Sequence, residues 1–190
     1  MFIKQELISV EDATQIAAAG FIQNYDQTLE EDVRHHLGAG IVRTLYNDKQ
    51  KIGFVIYEVF GDILYISGII ILPQWQAQGG AGEVISKLLQ ATGCAFLAYR
   101  TQSSRMWSVG QKLCQQWYPN LDNHPSNNIL AKARLICEQI GSPHFPVNKG
   151  FYGQALYGQK PIHQDLTVQT WWDDLCVFEA GDAVVCFGAL

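Results

Sequence analysis

Ile69-Ile70-Ile71-Leu72-Pro73-Gln74-Trp75-Gln76-Ala77-Gln78-Gly79-Gly80-Ala81 is the stretch that decides how this chain is read. Its apolar run without alternation marks a central strand covered on both faces, and Pro73 ends that strand because proline has no N–H to give to a ladder. A short polar loop follows. From Gly79 onward Val84, Ile85, Leu88 and Leu89 recur at helical spacing, so the order is strand, glycine-containing loop, helix. Gly79 and Gly80 let the backbone approach a bulky anion, and the helix behind them offers unpaired N–H groups and a partial positive charge. A pyrophosphate suits such a cradle. A bare Gly-Gly pair is more often a plain strand-to-helix turn of an α/β protein, so its surroundings must decide.

Upstream, Lys51 to Phe60 reads as a strand, Gly61-Asp62 as a two-residue hairpin turn, and Ile63 to Leu72 as the partner strand. Two helices precede the hairpin. Ser9 with Asp12, and Thr28 with Glu31, have the spacing of N-caps, and apolar stripes follow each: Ala13, Ile16, Ala17 and Phe21 for the first, Val33, Leu37, Ile41 and Leu45 for the second. Downstream, Cys94 to Arg100 is a short apolar strand, and Met106, Val109, Leu113 and Trp117 predict a helix, completing a parallel crossover unit. A further helix carries Ile129, Leu130, Ala133, Ile136, Cys137 and Ile140 between Ser126 and Gly141. Residues 143–174 read as a long aromatic, glycine-rich loop with short elements, and the closing stretch 181–190 as a turn and a strand.

The 190 residues are 48% hydrophobic and 16% charged, which fits one globular domain and excludes a disordered chain. No apolar run reaches the roughly 18 to 20 residues of a membrane span, and residues 1–12 lack the apolar stretch of a secretory signal, so a cytoplasmic protein is expected. A net charge of -5 argues against sequence-independent binding to nucleic acid or to an anionic membrane. Any anionic ligand must therefore be held locally. The five cysteines form no CxxC pair and their odd number closes no disulfide framework; reduced, structural thiols are expected. The five histidines form no HExxH pattern, so no metal is expected, and neither GxSxG nor a Walker-type GxxxxGK[ST] is present.

Gln76-x-x-Gly79-x-Ala81, just after a strand-ending proline and just before an amphipathic helix, resembles the [QR]xxGx[GA] acyl-CoA signature of the GNAT-type N-acetyltransferases. The order of elements is similar over residues 2–117. The resemblance implies an α/β (α+β) fold with a mixed central sheet flanked by helices. It also implies acetyl-CoA as acyl donor, with the backbone of Ile69, Ile70 and Ile71 along the pantetheine arm and the N–H groups of Gln76, Ala77, Gln78, Gly79, Gly80 and Ala81 around the pyrophosphate. Two departures stand out: Ala77 occupies a position that is often glycine, and Gln76 one that is more often arginine. The cradle then relies on N–H donors rather than on charge.

In that family the acyl group moves directly from thioester to amine, with a base taking the ammonium proton and an acid protonating the thiolate. Counting back from Gln76 to the position of the glutamate base of some members gives Tyr65, a poor base with an ordinary pKa of about 10. Glu58 and Asp62 are the nearest carboxylates, although solvated hairpin ends explain them as well. The mid-helix tyrosine of many members is replaced by Gly110 and Gln111, leaving Tyr118 at the expected helix end as the candidate acid, or as part of a packed terminus. The tandem Phe151-Tyr152-Gly153 and Leu156-Tyr157-Gly158 either lines the acceptor pocket through Tyr152 and Tyr157 or plugs the sheet together with Trp171 and Trp172.

The sequence thus predicts a single domain, residues 1–190, with an acyltransferase-like core over 2–117 and an extension over 118–190 that returns to the sheet. The expected activity is acyl-CoA-dependent N-acetyl transfer to a small amine or peptide amine. The alternatives are a catalytically silent acyl-CoA sensor or interaction module, and an α/β domain with no CoA site. Nothing in the sequence excludes a homodimer.

Overall fold

The computed structural model describes residues 2–4, 6–76, 78–122 and 125–190. Its elements in chain order are β1 (Phe2–Lys4), α1 (Val10–Phe21), α2 (Gln27–Leu37), β2 (Ile41–Asn47), β3 (Gln50–Phe60), β4 (Ile63–Ile71), a single 3₁₀ turn (Pro73–Trp75), α3 (Gly80–Thr92), β5 (Phe96–Thr101), α4 (Ser104–Leu113), β6 (Gln116–Tyr118), α5 (Asn127–Gln139), β7 (Val147–Asn148), α6 (Leu166–Leu175) and β8 (Ala183–Ala189). One eight-stranded sheet runs in the order β1-β2-β3-β4-β5-β8-β6, with β7 also paired to β8. Strands β1 to β4 are antiparallel, β4 and β5 are parallel, and β8 is antiparallel to β5, β6 and β7.

The caps explain where most helices begin. Ser9 accepts the Asp12 N–H, Ser103 the Met106 N–H and Ser126 the Ile129 N–H, each satisfying a donor that the first turn leaves orphaned. Such a cap is worth about 1 kcal/mol. Three expectations are corrected. The second helix is capped by Asp26, which accepts the Leu29 N–H, and not by Thr28, which lies inside the first turn. That helix also ends at Leu37: Ile41 and Leu45 belong to β2, where they pair with Tyr57 and Gly53 of β3. Trp117 and Tyr118 are likewise not helical. They form β6, which pairs with Phe187 and Gly188 of β8. Residues 143–174, expected as a long loop with short elements, hold β7 and most of α6, which starts at the Asp165 cap.

The sheet packs on both faces. On one, Val84, Ile85 and Leu88 of α3, Trp107 of α4 and Trp172 of α6 bury Val55, Leu64, Leu97 and Cys186. The other face is shared. Its β2–β4 half is covered by Ala13, Ile16 and Ala17 of α1 with Leu29 and Val33 of α2, and its β4–β6 half by Ile129, Ala133 and Ile136 of α5. Trp117 stacks so closely on α4 that a Cβ at Gly110 would lie 2.1 Å from its ring. The chain after Tyr118 is not appended outside the sheet: β8 lies between β5 and β6, so α5, β7 and α6 are an excursion between two neighbouring strands. No helix among the described residues is long and apolar enough to cross a membrane.

Candidate functional site

Strands β4 and β5 are in register only from Ile63–Phe96 to Ile66–Tyr99. Beyond that row β4 continues to Ile71 paired with β3 alone, and β5 continues to Thr101 paired with β8 alone. The parting begins at Ser67, the extra residue where the β3–β4 register shifts between Ile56 and Tyr57. A bulge adds local twist and swings the strand away from its neighbour. Gly68, Ile69 and Ile70 are only half-buried for this reason, within a strand whose first four residues are buried. Backbone groups on the β5 side of this segment have no strand partner, the arrangement an extended ligand arm can complete.

The loop after β4 leads from this opening to α3. Gln76 is turned back, its Nε2 donating to the Ile71 carbonyl at 2.7 Å, and Gln78 Nε2 donates to the Gln74 carbonyl at 2.9 Å. Both amides brace the loop. Gly79 has φ +77°, a left-handed conformation, and a Cβ there would meet nothing within 4 Å, so the glycine serves the turn and leaves open space. The first helical acceptor is the Gly79 carbonyl, taken by the Glu83 N–H at 3.0 Å; the N–H groups of Gly80, Ala81 and Gly82 therefore precede the ladder, and no side chain caps them. The other five α-helices each carry a Ser or Asp side-chain cap. Glu83 in the first turn is ion-paired with Lys87 at 2.6 Å. Ala77 lies outside the described residues.

Glu58, Tyr65 and Ala98 stand opposite one another on β3, β4 and β5, and Phe187 and Tyr118 continue the row on β8 and β6. Directly opposed residues share a face. Tyr118 is therefore on the same face as Tyr65 but three strands away, roughly 14 Å, beneath α5 and beside Phe187. The structure does not bring it to the opening between β4 and β5. Tyr65 is at that opening, and burial pushes its phenol above the ordinary value, with Arg100 opposing and Glu58 reinforcing the shift. Glu58 is half-buried and has no hydrogen bond or ion pair with a described residue. Asp62, at the hairpin tip, is engaged by Lys132 at 2.8 Å.

Residues 150–158 close over this face. Their anchors are the buried Gln102, whose Oε1 accepts the Leu156 N–H at 2.7 Å, and the buried Asp182, which accepts the Gly150 N–H at 2.9 Å and Lys149 Nζ at 2.8 Å. On the α1 side the Gly158 N–H donates to the Phe21 carbonyl at 2.7 Å and Gln23 Nε2 to the Leu156 carbonyl at 2.6 Å. Tyr157 packs edge-on against Phe21 at 5.3 Å. Burial raises the phenols of both Tyr152 and Tyr157; Tyr157 reinforces and Arg100 opposes the shift at Tyr152, and the Thr101 hydroxyl eases the shift at Tyr157. Tyr152 thus feels Tyr157, Arg100 and Tyr65 electrostatically, whereas Trp171 and Trp172 pack on Trp107 in the core of the opposite face.

Arg100 and the two anchors, Gln102 and Asp182, were not legible as site residues. The only sequence signal was a lone basic residue at the end of the apolar strand 94–100. Nucleophilic chemistry elsewhere finds no support: burial pushes the Cys114 and Cys176 thiols up to about 12 and that of Cys137 to about 11. Ser108 Oγ lies 2.8 Å from His163 Nε2 but donates its own proton to the Ser104 carbonyl at 3.2 Å, so its hydroxyl is turned to the helix backbone and not to the imidazole.

No protein-family model and no curated protein sequence matches the chain. Solved structures do. An acetyltransferase of Bacillus subtilis in complex with CoA superposes with TM-score 0.56 at 11% identity, over 99% of this chain and 97% of its own. The ribosomal-protein-S18-alanine N-acetyltransferase of Escherichia coli gives 0.57 at 13% identity, over 99% and 92%. A GNAT family acetyltransferase of Elizabethkingia anophelis with acetyl-CoA bound gives 0.56 at 12% identity, over 100% and 97%. The fold is that of the GNAT-type N-acetyltransferases.

Proposed function

We propose that this protein is an acetyl-CoA-dependent N-acetyltransferase acting on a small primary amine. The observation that carries the reading is the parting of β4 from β5 after Ile66 and Tyr99, which leads straight to α3, the one α-helix among the described residues whose N-terminus has no side-chain cap. An anionic pyrophosphate would take the place of that cap on the N–H groups of Gly79, Gly80, Ala81 and Gly82. The pantetheine arm would lie along Ile69, Ile70 and Ile71 as a short extra strand. That path brings the thioester to the wedge beside Tyr65, with Glu58 on the same face.

There Glu58 takes a proton from the substrate ammonium. The freed amine nitrogen attacks the thioester carbonyl carbon, a C–N bond forms, the C–S bond breaks, and its electron pair leaves on sulfur as the CoA thiolate. An alkyl thiol has an ordinary pKa of about 8.5, so the thiolate departs without a dedicated acid and is then protonated by water. Tyr118 has no place in this scheme. A second reading, a silent acyl-CoA-binding module, draws on Tyr65, whose buried phenol is even less able to act as a base than a solvated one.

The test is a melting series with CoA, followed by thiol release from acetyl-CoA in the presence of mixed primary amines. A ligand confined to the native state raises stability by about 2.7 kcal/mol at a hundredfold excess over Kd. A CoA-dependent rise with amine-dependent thiol release supports the enzyme, a rise without release supports the silent module, and no rise rejects both.

A further inference from the structure

Two charges at the acceptor end are without ionic partners among the described residues. Arg100 leaves β5 two residues beyond Ala98, on the face that carries Tyr65 and Glu58. Its guanidinium carbon lies 3.8 Å from the centre of the Phe151 ring, and one Nη donates to the Ile140 carbonyl at 2.9 Å. Its Nε is buried and has no hydrogen-bond partner among the described residues. No described carboxylate is ion-paired with it. Glu58, on the other side of Tyr65, is the complementary case: a half-buried carboxylate with no cation. Leaving either group half-buried and unpaired is unfavourable, and the two do not neutralise one another.

The register sets their separation. Two strand spacings across and two residues along put the Glu58 and Arg100 backbones roughly 12 Å apart, with both side chains projecting from the same face. A small zwitterion fits between groups so placed. The Tyr65 and Tyr152 hydroxyls, which have no hydrogen bond to a described residue, border the same space. The loop over 150–158, tied at one end to Asp182 and at the other to Phe21 and Gln23, roofs it and favours a small molecule over a protein tail.

We infer that the acceptor is a free amino acid, with Arg100 holding its carboxylate through the unpartnered Nε and Glu58 facing its ammonium. This inference rests on the acetyl-transfer reading and narrows it to a substrate class. Arginine suits the task because its planar fork matches a carboxylate, and Phe151 together with the Ile140 carbonyl fixes the plane of that fork in advance.

The experiment compares four pairs on CoA-loaded protein: phenylalanine with phenethylamine, leucine with isoamylamine, lysine with cadaverine, and histidine with histamine. Binding is read by calorimetry on the CoA-loaded protein, and acetyl transfer by thiol release with acetyl-CoA supplied in place of CoA. At least one amino acid should bind tenfold or more tightly than its decarboxylated partner, and Arg100→Met should abolish that preference while leaving the CoA-induced melting shift unchanged. If Arg100→Met fails to fold, Arg100→Lys keeps the charge without the fork and should weaken the amino acid about tenfold, with the bare amine unaffected. Equal binding within every pair, no binding by any of the eight compounds, or a preference that survives replacement of Arg100 overturns the inference. Absence of a CoA shift in the unmodified protein instead overturns the acetyl-transfer reading beneath it.

Discussion

The Tyr99 hydroxyl reaches into the backbone of α4 and bridges it, accepting the Gly110 N–H at 2.9 Å while donating to the Met106 carbonyl at 2.7 Å. One strand residue thereby fixes the height of α4 against the sheet, and the same Gly110 is where the Trp117 ring lies flat on the helix. Replacing Tyr99 with Phe keeps the ring and removes the bridge. Leaving buried polar groups without this partner should cost about 1 to 3 kcal/mol. Urea denaturation should register that loss with an unchanged slope, and the CoA-induced melting shift should be retained because α3 and its loop are untouched.

Gly79 offers a clean separation of backbone strain from charge. Asn and Asp both tolerate a left-handed φ better than other side chains, and the +77° conformation faces open space. Gly79→Asn and Gly79→Asp should therefore fold with similar stability. Only the aspartate sets a negative charge beside the proposed pyrophosphate, where two like charges 4 Å apart repel by about 4 kcal/mol at an effective dielectric constant of 20. CoA titration should find the aspartate variant weaker than the asparagine variant by tenfold or more. Equal affinities would remove this loop as the cofactor cradle.

Asp182 ties the loop over residues 150–158 to the start of β8. Burial alone would raise its carboxyl, but the Lys149 ammonium and the N–H groups of Gly150 and Val177 outweigh that and hold it below the ordinary value. A lowered folded pKa contributes stability that is present above the unfolded value of about 3.9 and is lost as pH falls through that value toward the folded one. Urea midpoints measured from pH 7 to pH 3 should fall at the acid end. Asp182→Asn should be less stable at pH 7 and show a shallower acid decline; parallel curves for the two proteins would assign the acid sensitivity elsewhere.

Tyr152 and Tyr157 should separate by role. Tyr157 leans on Phe21 but is half-buried, so Tyr157→Ala is expected to lower stability in thermal or urea melts by less than the roughly 3 to 5 kcal/mol of a fully buried aromatic. Tyr152→Phe removes only a hydroxyl at the proposed acceptor space. It should leave the melt and the CoA shift in place and lower the rate of acetyl transfer about tenfold, the worth of one hydrogen bond to a charged group. Unchanged thiol release in Tyr152→Phe would take that residue out of the pocket.

The hairpin, the loop and α3 were readable because their signals are local: a Gly-Asp turn, a strand-ending proline, a glycine pair. Ile41 and Leu45 misled because a spacing of four belongs to both periods, one face of a helix and one face of a strand. Trp117 extends the stripe of α4 in the sequence, yet β8 arrives from far along the chain and claims it for the sheet. In α6 the Asp165 cap was present but lay within an aromatic, glycine-rich stretch. Glu58 and Arg100 could be found singly in the sequence. Their common face depends on the register of β3, β4 and β5, which no local pattern encodes.

The place of β8 also has a consequence in time. Until it docks, β5 presents a bare apolar edge and β6 has no neighbour, so the middle of the sheet stays open while α5 and α6 take shape. Closing that gap joins segments separated by the whole excursion, a non-local step whose entropy is lost before its contacts form, and such topologies fold slowly. The open edge is meanwhile a template for another copy of the same strand. The excursion that builds the loop over Tyr65 thereby lengthens the interval in which this chain is vulnerable to pairing with its own kind.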